Sequence, residues 1–400
     1  MSELENVMDA VSSEIRKEKI ERALPFERVA LVLQGGGALG AYQAGVYQAI
    51  HEENIDVNWI SGTSIGAING ALIAGNPPER RVERLLEFWE TVTTPPAAFQ
   101  TMQWFSDLWA SKNGQARSWA NKMSALSTML HGVPNFFSPR PMPPINTTAK
   151  RPEDVGYYDA APLKATLERL VDFDLINRKA IQLSIGAANL RTGAPVTFDN
   201  LEENITVEHV MASASLPPGF APTRVDGEYY WDGAVVSNTP MQCVIDSSPS
   251  RSELVFQVDL WDSSGELPLD IPSAYLRATE MHSASRLNIS LDQYRKMQRF
   301  RHAVCRFLDK LPTDYRNDPE FKALAREAHV KVATIVQLKY QPKKYETTGK
   351  TFEFSRRGMK EHWHAGYEDA LAALKEPSVR ELPPPSEAAR IYDVHRGWLK

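Results

Sequence analysis

Gly62-Thr-Ser-Ile-Gly66 sets a serine hydroxyl between two glycines at the spacing of a sharp strand-to-helix turn, the arrangement that lifts a nucleophile above a sheet. Ser64 is the candidate nucleophile. The first N–H groups of the helix after it, with their positive dipole end, would face an oxyanion formed at that serine. Gly35-Gly-Gly-Ala-Leu-Gly40 offers backbone rather than side chains. Its glycines can expose N–H groups as a concave nest for a tetrahedral oxyanion, and Gly35, Gly36, Gly37, Ala38 and Gly40 are the candidates for that role. The same stretch satisfies the G-x-G-x-x-G spacing of a dinucleotide-binding turn, which would make the chain an oxidoreductase. That reading wants a carboxylate at the end of the next strand, yet that strand runs into the serine turn and Asp56 precedes it. Asp232-Gly-Ala234 closes the aromatic run Tyr229-Tyr-Trp231. With Gly233 behind it the backbone can turn away, leaving the Asp232 carboxylate as a general base. Gly62, Gly66 and Gly233 then support the two turns. Together these residues spell nucleophilic acyl transfer. No His-Glu-x-x-His and no calcium-loop spacing occurs, so neither a metal nor a cofactor is expected.

These residues need a frame to hold them. Arg28 to Gln34 is a short aliphatic run of the kind buried in a parallel sheet, and it leads straight into the glycines. Ala41 to Glu53 follows with good helix formers. Val57 to Ile60 reads as a second strand, and Ala67 to Ala74 as a helix of small residues. Two strand–turn–helix units in series predict an α/β fold. Sheet patterning returns at Ile181 to Ala188, where Arg191-Thr-Gly193 turns the chain into Val196-Thr-Phe198. Asp226-Gly227 predicts a hairpin between Thr223–Val225 and Glu228–Trp231, and Leu254 to Leu260 is a further buried strand.

Outside that frame, Ser2 to Leu24 has helical spacing and Pro25 closes it. Between Thr94 and Pro152 the β signal is lost. Trp104, Phe105, Leu108 and Trp109 share one helix face there, and Met123, Leu126, Met129 and Leu130 repeat the spacing. Packing against the domain is the first expectation for such stripes, and a lid or interfacial surface is the second. From about Ser273 charged amphipathic helix prevails, broken by the strand-like Val330 to Leu338. The Pro-rich Glu381 to Pro385 reads as a connector before a terminal helix.

Composition narrows the function classes. Lys and Arg total 45 against 50 Asp and Glu, and the formal charge of -5 leaves no global basic field to attract nucleic acid. The acidic start lacks the basic flank of a secretory signal, so a mature cytoplasmic chain is expected. No apolar run approaches the roughly 20 residues that span a bilayer, which makes any membrane contact peripheral. Cys243 and Cys305 lie far apart and read as core thiols. Oligomeric state is left open.

The three motifs in the order Gly-Gly-Gly, Gly-x-Ser-x-Gly and Asp-Gly-Ala resemble the patatin-like phospholipase family, as does Ala212-Ser-Ala-Ser-Leu-Pro-Pro-Gly-Phe220 ahead of the aspartate hairpin. The resemblance runs from about Val29 to Leu260. It implies a three-layer α/β/α sandwich with a mainly parallel central sheet, and hydrolysis of a lipid ester, phospholipid or lysophospholipid above all. In that family a serine–aspartate dyad works without histidine, which would make Ser64 the nucleophile, Asp232 the base and the glycine stretch the oxyanion hole. Gln34 stands where the family often has an acid. A Ser-Asp-His triad through His282 or His302 is the competing mechanism, and a catalytically idle lipid-binding protein on the same fold the competing function. The expected organisation is an N-terminal helical segment over 1–25, the acyl hydrolase domain over 26–272 with a lid-like insertion at about 94–152, and a mostly helical region of unknown role over 273–400.

Overall fold

In the computed structural model the described residues are 24–94, 114–145, 148–246, 252–262, 264–265, 267–328, 332–343, 345–346, 349–384 and 389–399, with the side chains of 242, 245–246, 272 and 285–292 also outside the description. The N-terminal helix expected before Pro25 and the stripe Trp104, Phe105, Leu108, Trp109 lie outside these residues.

A ten-stranded sheet organises the chain. Its strands are β1 (Arg28–Leu33), β2 (Trp59–Thr63), β3 (Gln182–Asn189), β4 (Pro195–Asp199), β5 (Thr223–Val225), β6 (Glu228–Asp232), β7 (Ser252–Asp259), β8 (Val332–Lys339), β9 (Ala389–Asp393) and β10 (Gly397–Leu399). In space the order is β10-β9-β8-β7-β1-β2-β3-β6-β5, with β4 on the other side of β3. From β9 through β3 every pairing is parallel, and the antiparallel strands sit at the two ends. The fold is therefore a mostly parallel sheet with flanking helices, as the motifs implied.

Strand patterning explains the layers. Along β1, Val29, Leu31 and Leu33 enter one core and Ala30 and Val32 the other, the period-2 alternation of a strand covered on both faces. The larger core is closed by α1 (Ala41–Glu52), α2 (Ile65–Ala74), α3 (Arg81–Thr93) and α8 (Arg356–Leu374). The opposite core receives Met241, Val244 and Tyr294, the last from α7 (Ile271–Leu308). Between these come α4 (Gly114–His131), α5 (Ala161–Leu170) and α6 (Val207–Ser213). The predicted hairpin forms as β5–β6, with Asp226 and Gly227 both at positive φ, 48° and 91°.

One reading of the C-terminal sequence needs correction. No terminal helix follows the Pro-rich connector: Ala389–Asp393 and Gly397–Leu399 are strands, because β8 presents a free parallel edge that Ala389–Asp393 completes. The strand-like run Val330 to Leu338 holds β8, which pairs with β7 along its whole length. Helix α8 crosses α1 so closely that a Cβ on Gly45 would lie 1.9 Å from the Trp363 carbonyl, and one on Gly366 2.0 Å from that of Tyr42. Cys243 and Cys305 are free thiols, and burial pushes Cys243 up to about 11.

Candidate active site

The chain leaves the carboxyl ends of β1, β2 and β7 on one edge of the parallel sheet, the edge where α/β folds place their sites. Ser64 follows β2 directly and caps α2 with φ 57° and ψ −124°, a strained conformation for a residue with a side chain. Its neighbours must be glycine. A Cβ on Gly66 would stand 2.2 Å from the Leu33 carbonyl, and one on Gly62 2.4 Å from that of Gly66. The strained turn is held from outside: the Ser64 N–H donates to Ser213 Oγ at 2.9 Å, and the Ser213 hydroxyl donates to the Gly186 carbonyl at 2.6 Å.

Sheet register delivers Asp232 to the same place. On β3, Gly186 pairs with Thr63 of β2, and the next residue, Ala187, pairs with Asp232 of β6. Strand β4 occupies the opposite side of both residues, so β6 continues where β2 stops. Asp232 therefore lies in the sheet just past Thr63, where Ser64 begins. Gly233 keeps the junction open, since a Cβ there would be 2.8 Å from the Gly186 carbonyl and 3.0 Å from Thr63.

Asp232 is fully buried. Its N–H donates to the Ser215 carbonyl at 3.0 Å, and its Oδ1 accepts from the Ala234 N–H at 2.8 Å. The remaining oxygen, Oδ2, has no partner of ordinary hydrogen-bond geometry. Burial pushes the carboxyl up to about 7, against the opposing pull of the Ser64 hydroxyl and the Ala234 N–H. His282 and His302 both belong to α7.

The glycine stretch comes up beside the serine. A Cβ on Gly35 would be 3.0 Å from that of Ser64. Gly35 is itself clamped, its N–H donating to the Asn238 carbonyl at 3.3 Å and its own carbonyl accepting from Trp261 Nε1 at 2.8 Å and Asn238 Nδ2 at 3.1 Å. Its N–H is thus engaged. Among the described residues no acceptor meets the N–H groups of Gly36, Gly37 and Ala38, which start a short 3-10 turn. Gly37 needs its φ of +58° and has the Thr351 carbonyl 2.5 Å from where a Cβ would go. Gly40 lets the turn settle on Ile65 and Trp89. The strand that a dinucleotide site would end in a carboxylate, β2, ends in Thr63 and Ser64.

Several positioning residues escaped the sequence reading. Buried Gln34 accepts from the N–H groups of Leu260 and Trp261 through Oε1 and donates through Nε2 to Thr239 Oγ1 and the Ser283 carbonyl. An acid there would set a carboxylate against that carbonyl, so the amide suits the site. Gln43 Nε2 donates to the Gln34 carbonyl, Asn69 Nδ2 to Gln43 Oε1 and the Gly40 carbonyl, and Trp89 Nε1 to Asn69 Oδ1. For Asn69 the signal was present: it is an amide inside an otherwise apolar helix, and buried amides are kept where they are hydrogen-bonded.

Glu203, His209 and Asp226 bring possible ligand atoms within 4.8 Å of one another. His209 Nδ1, however, accepts the Thr206 N–H, so neutral His209 carries its proton on Nε2, 3.4 Å from Glu203, and is poorly set to ligate a cation.

The family model described as Patatin-like phospholipase matches residues 31–244. The chain belongs to the patatin-like phospholipase family. A second model, described as Patatin phospholipase, matches residues 282–386, so the C-terminal part of this patatin-like chain has a counterpart too. Among curated relatives, a lysophospholipase of Aspergillus terreus is 52% identical over 56 residues, 14% of this chain and 4% of that protein. Patatin-like phospholipase domain-containing protein 6 of Homo sapiens is 38% identical over 71 residues, 18% of this chain and 5% of that protein. The patatin-like chain thus matches only a small part of these relatives' length. Among solved structures, VipD of Legionella pneumophila aligns with a TM-score of 0.37 and 14% identity, covering 88% of this chain and 67% of that one. Human GIVD cytosolic phospholipase A2 aligns at 0.30 and 14%, covering 65% and 45%. No helix of the described residues is long and apolar enough to cross a membrane.

Proposed function

We propose that the chain hydrolyses a carboxylic ester of a lipid, with phospholipid or lysophospholipid the favoured class, through a Ser64–Asp232 dyad. One observation carries the reading. A serine held in a strained elbow stands beside a buried carboxyl with one unpartnered oxygen and a pKa near that of a working base, raised to about 7. Asp232 takes the Ser64 proton as Oγ attacks the ester carbonyl carbon. The oxyanion is met by the free N–H groups of Gly36, Gly37 and Ala38. Collapse breaks the ester C–O bond, and the departing alcohol takes the proton from Asp232. Water then attacks the acyl-serine, giving its proton to Asp232, and release of the fatty acid returns that proton to Ser64. Membership of the family supports the lipid ester as substrate, and the Ser64 hydroxyl acting directly on the Asp232 carboxyl supports a dyad.

Purified wild type, Ser64→Ala and Asp232→Asn are compared on short-chain p-nitrophenyl esters and on phospholipid vesicles, with folding followed by thermal melts. Both variants should lose about a thousandfold or more in kcat/KM. Turnover persisting in folded Ser64→Ala would remove the mechanism, and a folded wild type inactive on every ester would leave the reading of an idle lipid-binding fold.

A further inference from the structure

Helix α4 is packed inside out. Its inward face is Ala116, Ala120, Asn121, Ala125 and Thr128, small or polar residues that are buried. Met123, Leu126, Met129 and Leu130, at the spacing of a single stripe, are 44%, 46%, 38% and 60% exposed. This overturns the packing expectation for that stripe. A helix that gains burial from alanines while leaving its large apolar groups in water has its outer face shaped for something other than the domain core.

Its position ties it to the proposed site. Helix α4 packs against the turn Lys350–Phe352, whose Thr351 carbonyl closes over Gly37. Toward its end the Met129 carbonyl accepts from the Tyr158 hydroxyl at 2.9 Å, and the Tyr158 ring lies 5.7 Å from Phe220, in the segment whose Ser213 and Ser215 hold Ser64 and Asp232.

Charge selects the occupant. The chain as a whole is acidic, yet residues 114–151 carry Arg117, Lys122, Arg140, Lys150 and Arg151 and not one Asp or Glu. Lys122 and Lys150 are exposed. Arg117 pairs with Glu361 and Arg151 with Asp154, and Arg140 donates to the Tyr158 and Glu153 carbonyls, which leaves the two exposed lysines to meet anionic lipid. An apolar stripe on a helix that also carries an exposed lysine matches an anionic bilayer, whose surface attracts lysine and whose acyl boundary takes up the stripe.

We infer that the outer face of α4 docks the protein on an anionic phospholipid bilayer and sets the Ser64 site at its surface. The inference rests on the lipid-hydrolase reading of that site, so binding is measured on Ser64→Ala protein, independently of turnover. That protein should sediment with vesicles of phosphatidylcholine mixed with phosphatidylglycerol and less with phosphatidylcholine alone. Adding Leu126→Ser and Leu130→Ser should cut partitioning by about tenfold per leucine, with the melting temperature unchanged because both side chains already face water. Lys122→Glu with Lys150→Glu should abolish the preference for phosphatidylglycerol. Unchanged vesicle binding in the leucine variant would overturn the inference. So would a lowered melting temperature with binding retained, which would mean that the chain itself covers the stripe, or a wild-type dimer that the variant splits without loss of binding. If vesicle binding follows the expected pattern while no ester is hydrolysed by wild type, the surface stands and the catalytic reading falls.

Discussion

At the scale of single residues the site is governed by one burial. Asp232 is removed from water and left with a single good hydrogen bond, so its charged form is disfavoured and its carboxyl titrates near 7. A base must be ionised to accept the Ser64 proton, so kcat/KM should rise as pH increases through about 7 and then level off. Stability should run the other way. Between the ordinary carboxylate value and about 7 the folded state holds a proton on Asp232 that the unfolded chain has released, so stability falls as pH rises through that window. The cost is complete above it and amounts to about 4 kcal/mol. Asp232→Asn keeps an oxygen for the Ala234 N–H and removes the charge. It should therefore abolish hydrolysis, stabilise the protein at pH 8 and flatten the dependence of stability on pH. Denaturant melts at pH 5 and pH 8 measure this, and equal slopes in wild type and variant would show that Asp232 is not held out of its ordinary range. Asp259, which burial also pushes up to about 7, is common to both proteins and cancels in the comparison.

At the scale of elements, the parts legible in the sequence are those where close approach leaves a residue signature. Gly62 and Gly66 mark the elbow because β2, α2 and the end of β1 leave no room for a Cβ. Gly66→Ala should therefore cost about 3 kcal/mol or more, lowering the melting temperature well beyond what an exposed helix alanine would do. A variant with wild-type stability and turnover would mean that the elbow is looser than its geometry implies. What could not be read is pairing. That β6 takes over from β2 along β3, and so sets Asp232 past Thr63, depends on strands far apart in sequence, and no local pattern encodes that register. The stripe on α4 was legible as a period and not as a direction. Which side faces in was decided by Ala116, Ala120 and Ala125, whose size lets the helix lie close, and spacing alone does not distinguish a stripe turned inward from one turned outward.

At the scale of the whole molecule, the sequence broke the chain near residue 272 because charged helix begins there, and composition reports surface rather than connectivity. Strand β7 is buried throughout and carries β1 on one side and β8 on the other. Helix α8 lies on α1 where neither Gly45 nor Gly366 can carry a side chain. The later half also reaches the site, through the Ser283 carbonyl on Gln34 and the Thr351 carbonyl on Gly37. A chain ending at residue 272 would lose β8 to β10 and α8 together. It would expose a long apolar edge along β7, the kind of edge that recruits other chains, and would uncover the face of α1. Residues 1–272 should accordingly be recovered as aggregate without esterase activity, even though they contain Ser64, Asp232 and every glycine of the site. Expression of that fragment beside the full chain, with solubility, cooperative melting and ester turnover compared, tests this. A soluble, cooperatively melting and active fragment would show that β7 tolerates a free edge and that the C-terminal strands extend a domain already complete. An aggregate would show that sheet and site are completed only by the residues after 272.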